Sequence, residues 1–135
     1  MSIFALDTNI ISYLLRYDPN VSARLQYEND RDNMIIIPPL VYYEIKRGLL
    51  IDNSTKRLRS FEHFCEDLNI GEMTLEAYDE AARLYAKQRR IGRPIGDADI
   101  LIAAFCIVNG YTLVTHNSKH FEGLEGLEIE DWVET

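Results

Sequence analysis

Apolar residues in this chain gather into short runs, and longer stretches with helical spacing lie between them. The run Ser2–Leu6 predicts a buried strand, and Thr8 to Arg16 predicts a helix behind it. Asp18-Pro19 opens a second helix, with Asp18 as cap and Pro19 in the first turn. Met34–Ile37 predicts another buried strand, stopped by Pro38-Pro39. Pro39 opens a helix expected to end at Gly48. Asn53-Ser54 caps a further helix, in which Leu58, Phe61, Cys65 and Leu68 recur at spacings of three and four.

A short strand is expected at Asn69–Ile70. Thr74 then caps a helix with Tyr78, Ala81 and Tyr85 as its apolar positions, ending by Gly92. Gly96-Asp97 opens a helix that is apolar almost all round from Ala98 to Val108, which predicts deep burial before Gly110 stops it. Thr112–Thr115 predicts a buried strand, and Leu127–Ile129 a weaker last one. Apolar strands alternating with helices imply an α/β fold: a mostly parallel central sheet with helices on both faces, in three α/β/α layers. In such sheets ligands bind beyond the carboxyl ends of the strands.

Length and composition fit this reading. At 135 residues, 47% of them hydrophobic, the chain can bury a core, and one domain over residues 1–135 is expected. The opening MSIFALDTN lacks a basic leader region, and no apolar stretch is long enough to span a bilayer, so a cytoplasmic protein without a membrane segment is expected. Cys65 and Cys106 lack zinc-ligand spacing and read as buried reduced thiols. The net charge of −8 is unevenly spread. Lys87, Arg89, Arg90 and Arg93 form a basic cluster, Lys46 and Arg47 a smaller one, and carboxylates crowd the stretch from Glu122 to Glu134. The larger cluster reads either as a solvated helix end or as a surface for an anion. The acidic total suits a chain that gathers divalent cations or meets a basic partner.

Candidate chemistry lies where polar residues interrupt apolar surroundings. Asp7 directly follows the first strand and serves equally as a helix cap or as a ligand. Glu44 shares a helical face with Leu40, Val41 and Gly48, while Lys46 and Arg47 point away, so an inward glutamate is expected; an ion pair with Arg47 is the plain alternative. Asp99 lies in phase with Ala103 and Cys106 on a nearly all-apolar helix, where an ionised carboxylate needs a partner or a metal. Asp97 is expected to cap that helix. Asn117 follows the strand Thr112–Thr115, as a turn residue or a site residue. Oxygen-only ligands suit hard cations such as Mg²⁺ or Mn²⁺, and such ions hold clustered carboxylates together at neutral pH.

Other schemes lack their residues. There is no GxSxG, no GxxxxGK[ST] loop and no GxGxxG. His116 and His120 could meet on a turn, and His116 could touch a phosphate. A phospho-acceptor receiver domain would need an acidic pair after the first strand and a lysine after the last; here Asp7 is single and Lys119 lies beyond the strand end.

The segments FALDTNIISYLL, LVYYEIKRG, GRPIGDADILIAA and LVTHNSKHFEGLEGLEIEDW, taken together and in this order, resemble the successive motifs of VapC-type PIN-domain toxin ribonucleases. The resemblance spans nearly the whole chain. It implies a PIN fold, Mg²⁺ or Mn²⁺, homodimers, cleavage of RNA, and neutralisation by a cognate VapB-type antitoxin. Asp7, Glu44 and Asp99 match the family's metal-binding acids, and Asn117 matches its fourth site position. Thr8 and Thr115 match flanking hydroxyls, while Asp97 has no fixed counterpart and stands as a supporting acid. Asparagine at 117 removes a charge and weakens the case for a second ion. A non-catalytic PIN module that only binds RNA or protein is the alternative within the fold.

Overall fold

A computed structural model describes residues 1–133; Glu134, the last acid of the expected carboxylate-rich stretch, lies outside the described residues. The elements follow in the order β1 (Ile3–Leu6), α1 (Thr8–Leu15), α2 (Pro19–Asp30), β2 (Met34–Ile37), α3 (Pro39–Ile51), α4 (Thr55–Glu66), β3 (Asn69–Ile70), α5 (Leu75–Arg90), α6 (Asp97–Asn109), β4 (Thr112–Val114) and β5 (Glu128–Glu130), with a 3₁₀ turn at Ser118–His120. The strands form one sheet in the order β3-β2-β1-β4-β5, and all four pairings are parallel. Helices flank this sheet, as the alternation of elements along the chain predicts.

The reason is burial on both faces. Ala5, Leu6, Ile37, Leu113 and Val114 are fully buried, which only a sheet covered on both sides achieves. In the centre, Ala5 of β1 aligns with Ile36 of β2 on one side and Leu113 of β4 on the other. The helix that is apolar all round, α6, supplies Ile100, Ile102, Ala103, Ala104, Phe105 and Cys106 to the core. Gly110 closes α6 in the left-handed conformation, which glycine adopts without steric cost.

Three expectations change. The helix α3 runs through Gly48 to Ile51, because Leu49 packs against the core and tertiary burial overrides glycine's weak helix propensity. On α5 the buried positions are Ala77, Ala81, Leu84 and Gln88, while Tyr78 and Tyr85 are exposed. Small alanines let α5 lie close to α6, and the tyrosines point outward. Cys106 is buried as expected, but Cys65 is only half-buried.

One charge cluster ties the sheet edge to its helix. Glu28 of α2 is buried and accepts hydrogen bonds from Arg24 Nε at 2.8 Å and Asn33 Nδ2 at 2.9 Å. A second Arg24 nitrogen reaches Glu130 of β5, also at 2.8 Å, and the guanidinium lies 5.3 Å from the Trp132 ring centroid. Burial alone would raise the Glu28 pKa, but the bonds from Asn33 and Arg24 outweigh it and hold the carboxyl below its ordinary value.

Two glycines give opposite expectations. A Cβ on Gly71 would overlap the ring of Phe105, whereas Gly48 faces open space in mid-helix. Gly71→Ala should lower the unfolding free energy by about 1–3 kcal/mol through overpacking. Gly48→Ala should raise it by about 0.5–1 kcal/mol by restricting the unfolded chain. Urea midpoints of the two variants against the unsubstituted protein measure both.

Candidate active site

The chain passes from β1 to β2 on one side and from β4 to β5 on the other, so the strand order reverses between β1 and β4, and the carboxyl ends of these two strands are where such a sheet places its crevice. Asp7 is the first residue beyond β1. Its backbone N–H extends the ladder by donating to the Val114 carbonyl at 2.9 Å. Its side chain caps α1, with Oδ1 accepting from the Thr8 N–H at 2.8 Å. Both candidate roles of Asp7 are therefore open to one carboxylate: capping occupies one oxygen and leaves the other.

That second oxygen, Oδ2, accepts the Thr115 hydroxyl at 2.8 Å. Thr115 follows β4, is fully buried, and donates its own N–H to the Glu130 carbonyl of β5 at 2.9 Å. Its hydroxyl oxygen also accepts the Asn117 N–H at 3.0 Å. Asn9, the second residue of α1, brings Nδ2 to 3.4 Å from both Asp7 Oδ2 and Thr115 Oγ1, and its Oδ1 accepts the His116 N–H at 3.0 Å. Asp7 is thus gripped from β4 and from α1, and Asn9 staples the two grips together.

Asp99 enters from the first turn of α6, half-exposed, with Oδ2 3.4 Å from His120 Nδ1. It is close enough to Asp7 for its negative charge to act there. Burial pushes the Asp7 carboxyl pKa up, and the Asp99 charge adds to the rise, against the opposing bonds from Thr115, Thr8 and Asn9. Cys106, on the same face of α6 as Asp99, has its thiol pushed up by burial and by the Asp7 charge, so it is an unreactive neighbour.

Glu44 does turn inward, but it meets Thr8 rather than Asp7. The Thr8 hydroxyl donates to Glu44 Oε1 at 3.0 Å, and Arg47 stands 3.9 Å from Oε2. The ion pair with Arg47 is therefore present alongside the inward orientation. Asp7, Thr8 and Glu44 form a continuous chain of contacts, with Thr8 as the link. Among the described residues no three His, Cys, Asp or Glu side chains stand close enough to share one ion.

Asp97 departs from expectation. Gly96, not Asp97, is the N-cap of α6, and no side chain bonds to that cap. Asp97 lines a hollow against Tyr78, Ala81 and Tyr85 of α5, while Asp99 lines a separate groove with Gly96, Lys119 and His120. Two residues along a helix rotate the side chain by roughly 200°, which separates them. Asn117 is exposed in the turn after β4 and precedes the 3₁₀ turn. His116 and His120 do not pair with each other. His116 Nδ1 lies 2.9 Å from Asp131 Oδ2 with its ring edge-on to Tyr13, while His120 reaches Asp99. Asn9 and His120 are contacts that sequence reasoning missed; the Asp-x-Asn spacing at a strand's end was the available signal for Asn9.

The donor set fits a hard cation. Asp7 is buried with a raised pKa, a second carboxylate acts on it, and among the described residues no cationic side chain lies within 4 Å of it. All the groups presented are oxygens or amides.

The protein-family model of the PIN domain matches residues 4–126. The chain is 31% identical to Ribonuclease VapC1 of Haemophilus influenzae (strain R2866), over 96% of this chain and 98% of that protein. It is 29% identical to the tRNA(fMet)-specific endonuclease VapC of Shigella flexneri, over 96% of this chain and 97% of that one. Among solved structures, it resembles a chain of VapBC2 from Rickettsia felis bound to a promoter DNA fragment, with a TM-score of 0.89 and 27% identity over 96% of this chain and 98% of that chain.

The raised Asp7 pKa carries a definite sign. A carboxyl whose folded pKa exceeds its unfolded value stabilises the fold at low pH and loses that contribution as pH rises through the folded value. In EDTA, Asp7→Asn should therefore melt higher than the unsubstituted protein at neutral pH, and the gap should shrink below the carboxylate range. Thermal melts across pH measure it.

Proposed function

This chain belongs to the PIN-domain family, and on that premise we propose that it is a divalent-cation-dependent endoribonuclease, the toxin of a VapBC-type toxin–antitoxin pair. The observation that carries this reading is the buried Asp7 carboxylate, on which the charge of Asp99 acts and which, among the described residues, has no cationic side chain within 4 Å. Removing an ionised carboxylate from water costs several kcal/mol unless opposite charge arrives, and a second negative charge makes the cost larger. A bound cation would offset that cost.

Asp7 and Asp99 would hold that ion, Mg²⁺ with Mn²⁺ as a substitute, whereas Glu44, expected as a third ligand, is turned to Thr8 and does not stand with them. When bound, it supplies the positive charge that offsets the negative charge developing on a phosphodiester under attack. The chain's own residues do the rest. Thr115 holds Asp7 Oδ2 by its hydroxyl, and the Thr8 N–H holds Oδ1, so the carboxylate plane is fixed before substrate arrives. The Thr8 hydroxyl holds Glu44 Oε1 next to the residue that caps α1. Glu44, with one oxygen held by Thr8 and the other facing the more distant Arg47, is the group we assign to accept a proton from attacking water. Asn117, an exposed amide at the crevice mouth, is assigned to contact the substrate.

The partner proposed is a VapB-type antitoxin, the other half of the VapBC assemblies among the structural relatives. A basic side chain from such a partner would meet the Asp7 carboxylate and the Asp99 charge that acts on it. Homodimerisation belongs to the same proposal, supported by exposed Leu75, Tyr78 and Tyr85 on α5. No described helix is long and apolar enough to cross a membrane, and a cytoplasmic setting goes with an RNA substrate.

The experiment is RNA cleavage with and without EDTA. Mg²⁺ should restore cutting by the unsubstituted protein, while Asp7→Asn and Asp99→Asn should lose roughly a hundredfold or more. Equal cutting by all three would mark a contaminating nuclease and overturn the site. Thr115→Val keeps the metal-binding acids but frees the Asp7 carboxylate, so a loss of about 10–100-fold in activity or metal affinity is expected, read by calorimetric Mg²⁺ titration beside the assay.

A further inference from the structure

Beyond the acids, one groove of about 430 Å³ runs outward from Asp99 between the α5–α6 connection and the 3₁₀ turn. Gln88, Arg93, Asp99, Lys119, His120 and Glu122 are among the residues that line it. We propose that this groove is a subsite for a phosphate of the RNA strand neighbouring the one that is cut, gripped by Arg93 from one wall and Lys119 from the other. The proposal rests on the nuclease reading and adds the place where the strand is held.

The two cations stand out by their place, on opposite sides of a groove that Asp99 also lines. Arg24, Arg47, Arg83 and Lys87 all lie within 4 Å of a carboxylate. Arg93 and Lys119 are exposed, and among the described residues no carboxylate lies within that distance of either. Asp99 and Glu122 line the groove as well, so its formal charges sum to zero, in contrast to the net charge of −8 of the whole chain. A guanidinium and an ammonium are the donors that phosphate oxygens select.

Both arms are also held in place. The buried amide of Gln88 donates from Nε2 to the Arg93 carbonyl at 3.2 Å, and the Arg93 N–H donates to the Gln88 carbonyl at 2.8 Å. This reciprocal clamp explains why a glutamine is buried on α5: it anchors the loop that carries Arg93 and leads into Asp99. Lys119 rides on the 3₁₀ turn, closed by the His120 N–H donating to the Asn117 carbonyl at 3.0 Å, and that turn begins three residues beyond Thr115. The same strand end therefore positions Asp7's partner and one arm of the groove. Glu122 and Asp99 together balance the two cations, which suits a singly charged diester over a more highly charged anion.

The test is binding of a fluorescein-labelled, mixed-sequence 2′-O-methyl RNA oligonucleotide, which resists cleavage, by anisotropy in EDTA over a series of salt concentrations. Arg93→Gln and Lys119→Gln should each weaken binding roughly tenfold. Each should also flatten the slope of log affinity against log salt by about 0.7, the signature of one lost contact to a single-stranded phosphate. Arg59→Gln, an exposed cation on α4, should change neither. Unchanged affinity and slope in Arg93→Gln and Lys119→Gln, an equal effect of Arg59→Gln, or no binding by the unsubstituted protein would each overturn the subsite. The nuclease reading is judged separately by Mg²⁺-dependent cutting: a protein that cuts while both variants bind normally keeps its activity assignment and loses this subsite.

Discussion

The hydrogen bond from the Thr115 hydroxyl to Asp7 is the contact on which the site depends. It joins the residues that follow two adjacent strands, 108 positions apart in the chain, at 2.8 Å and out of solvent. Everything else in the crevice is referred to it. Thr115 is itself held by β5 and holds the turn that carries Asn117. Asp7 caps α1, which begins with Thr8 and so reaches Glu44. A neutral hydroxyl in this position steadies a carboxylate without cancelling its charge, and the charge remains for a cation to meet. A lysine or arginine there would have satisfied Asp7 and emptied the site of its chemistry.

The cost of the arrangement is visible beside its use. Burial and the charge of Asp99 both raise the Asp7 pKa, so the ionised site opposes folding. The rest of the fold offsets that cost through a sheet buried on both faces and through α6, whose apolar surface is interrupted only at its start. The acids lie where the core ends. Strand ends and a helix start provide backbone N–H groups and solvent access that the middle of the sheet does not. By contrast, the buried Glu28 is fully compensated by Arg24 and Asn33, and its pKa falls. The two buried carboxylates differ in kind: one is neutralised by its surroundings and holds α2 to the sheet edge, and the other is not.

Most strand positions were legible from composition alone. Met34–Ile37 is apolar and stopped by two prolines, so its limits follow from residue chemistry and coincide with β2. The acids Asp7, Glu44 and Asp99 were legible because each interrupts an apolar pattern. The misplaced features have physical reasons. Gly48 is an adequate helix stop in isolation, but the burial of Leu49 continues the helix. Tyr78 and Tyr85 fit an apolar stripe, but their ring hydroxyls favour water and the alanines pack instead. Asp97 has the right chemistry for a cap, but the chain turns into the helix one residue earlier, at Gly96.

By itself, then, the sequence determined which strands and which helix form the core, where the elements begin and end within a residue or a few, and which polar groups stand against that pattern. Those properties follow from side-chain polarity and backbone freedom, which each residue carries with it. Tertiary structure alone decided the strand order with β1 between β2 and β4, the meeting of Thr115 with Asp7, the turning of Glu44 to Thr8, and the separation of Asp97 from Asp99. A periodic pattern states that a face must be covered. It does not state what covers it, because any apolar surface meets that demand, and only the packed chain selects the neighbour.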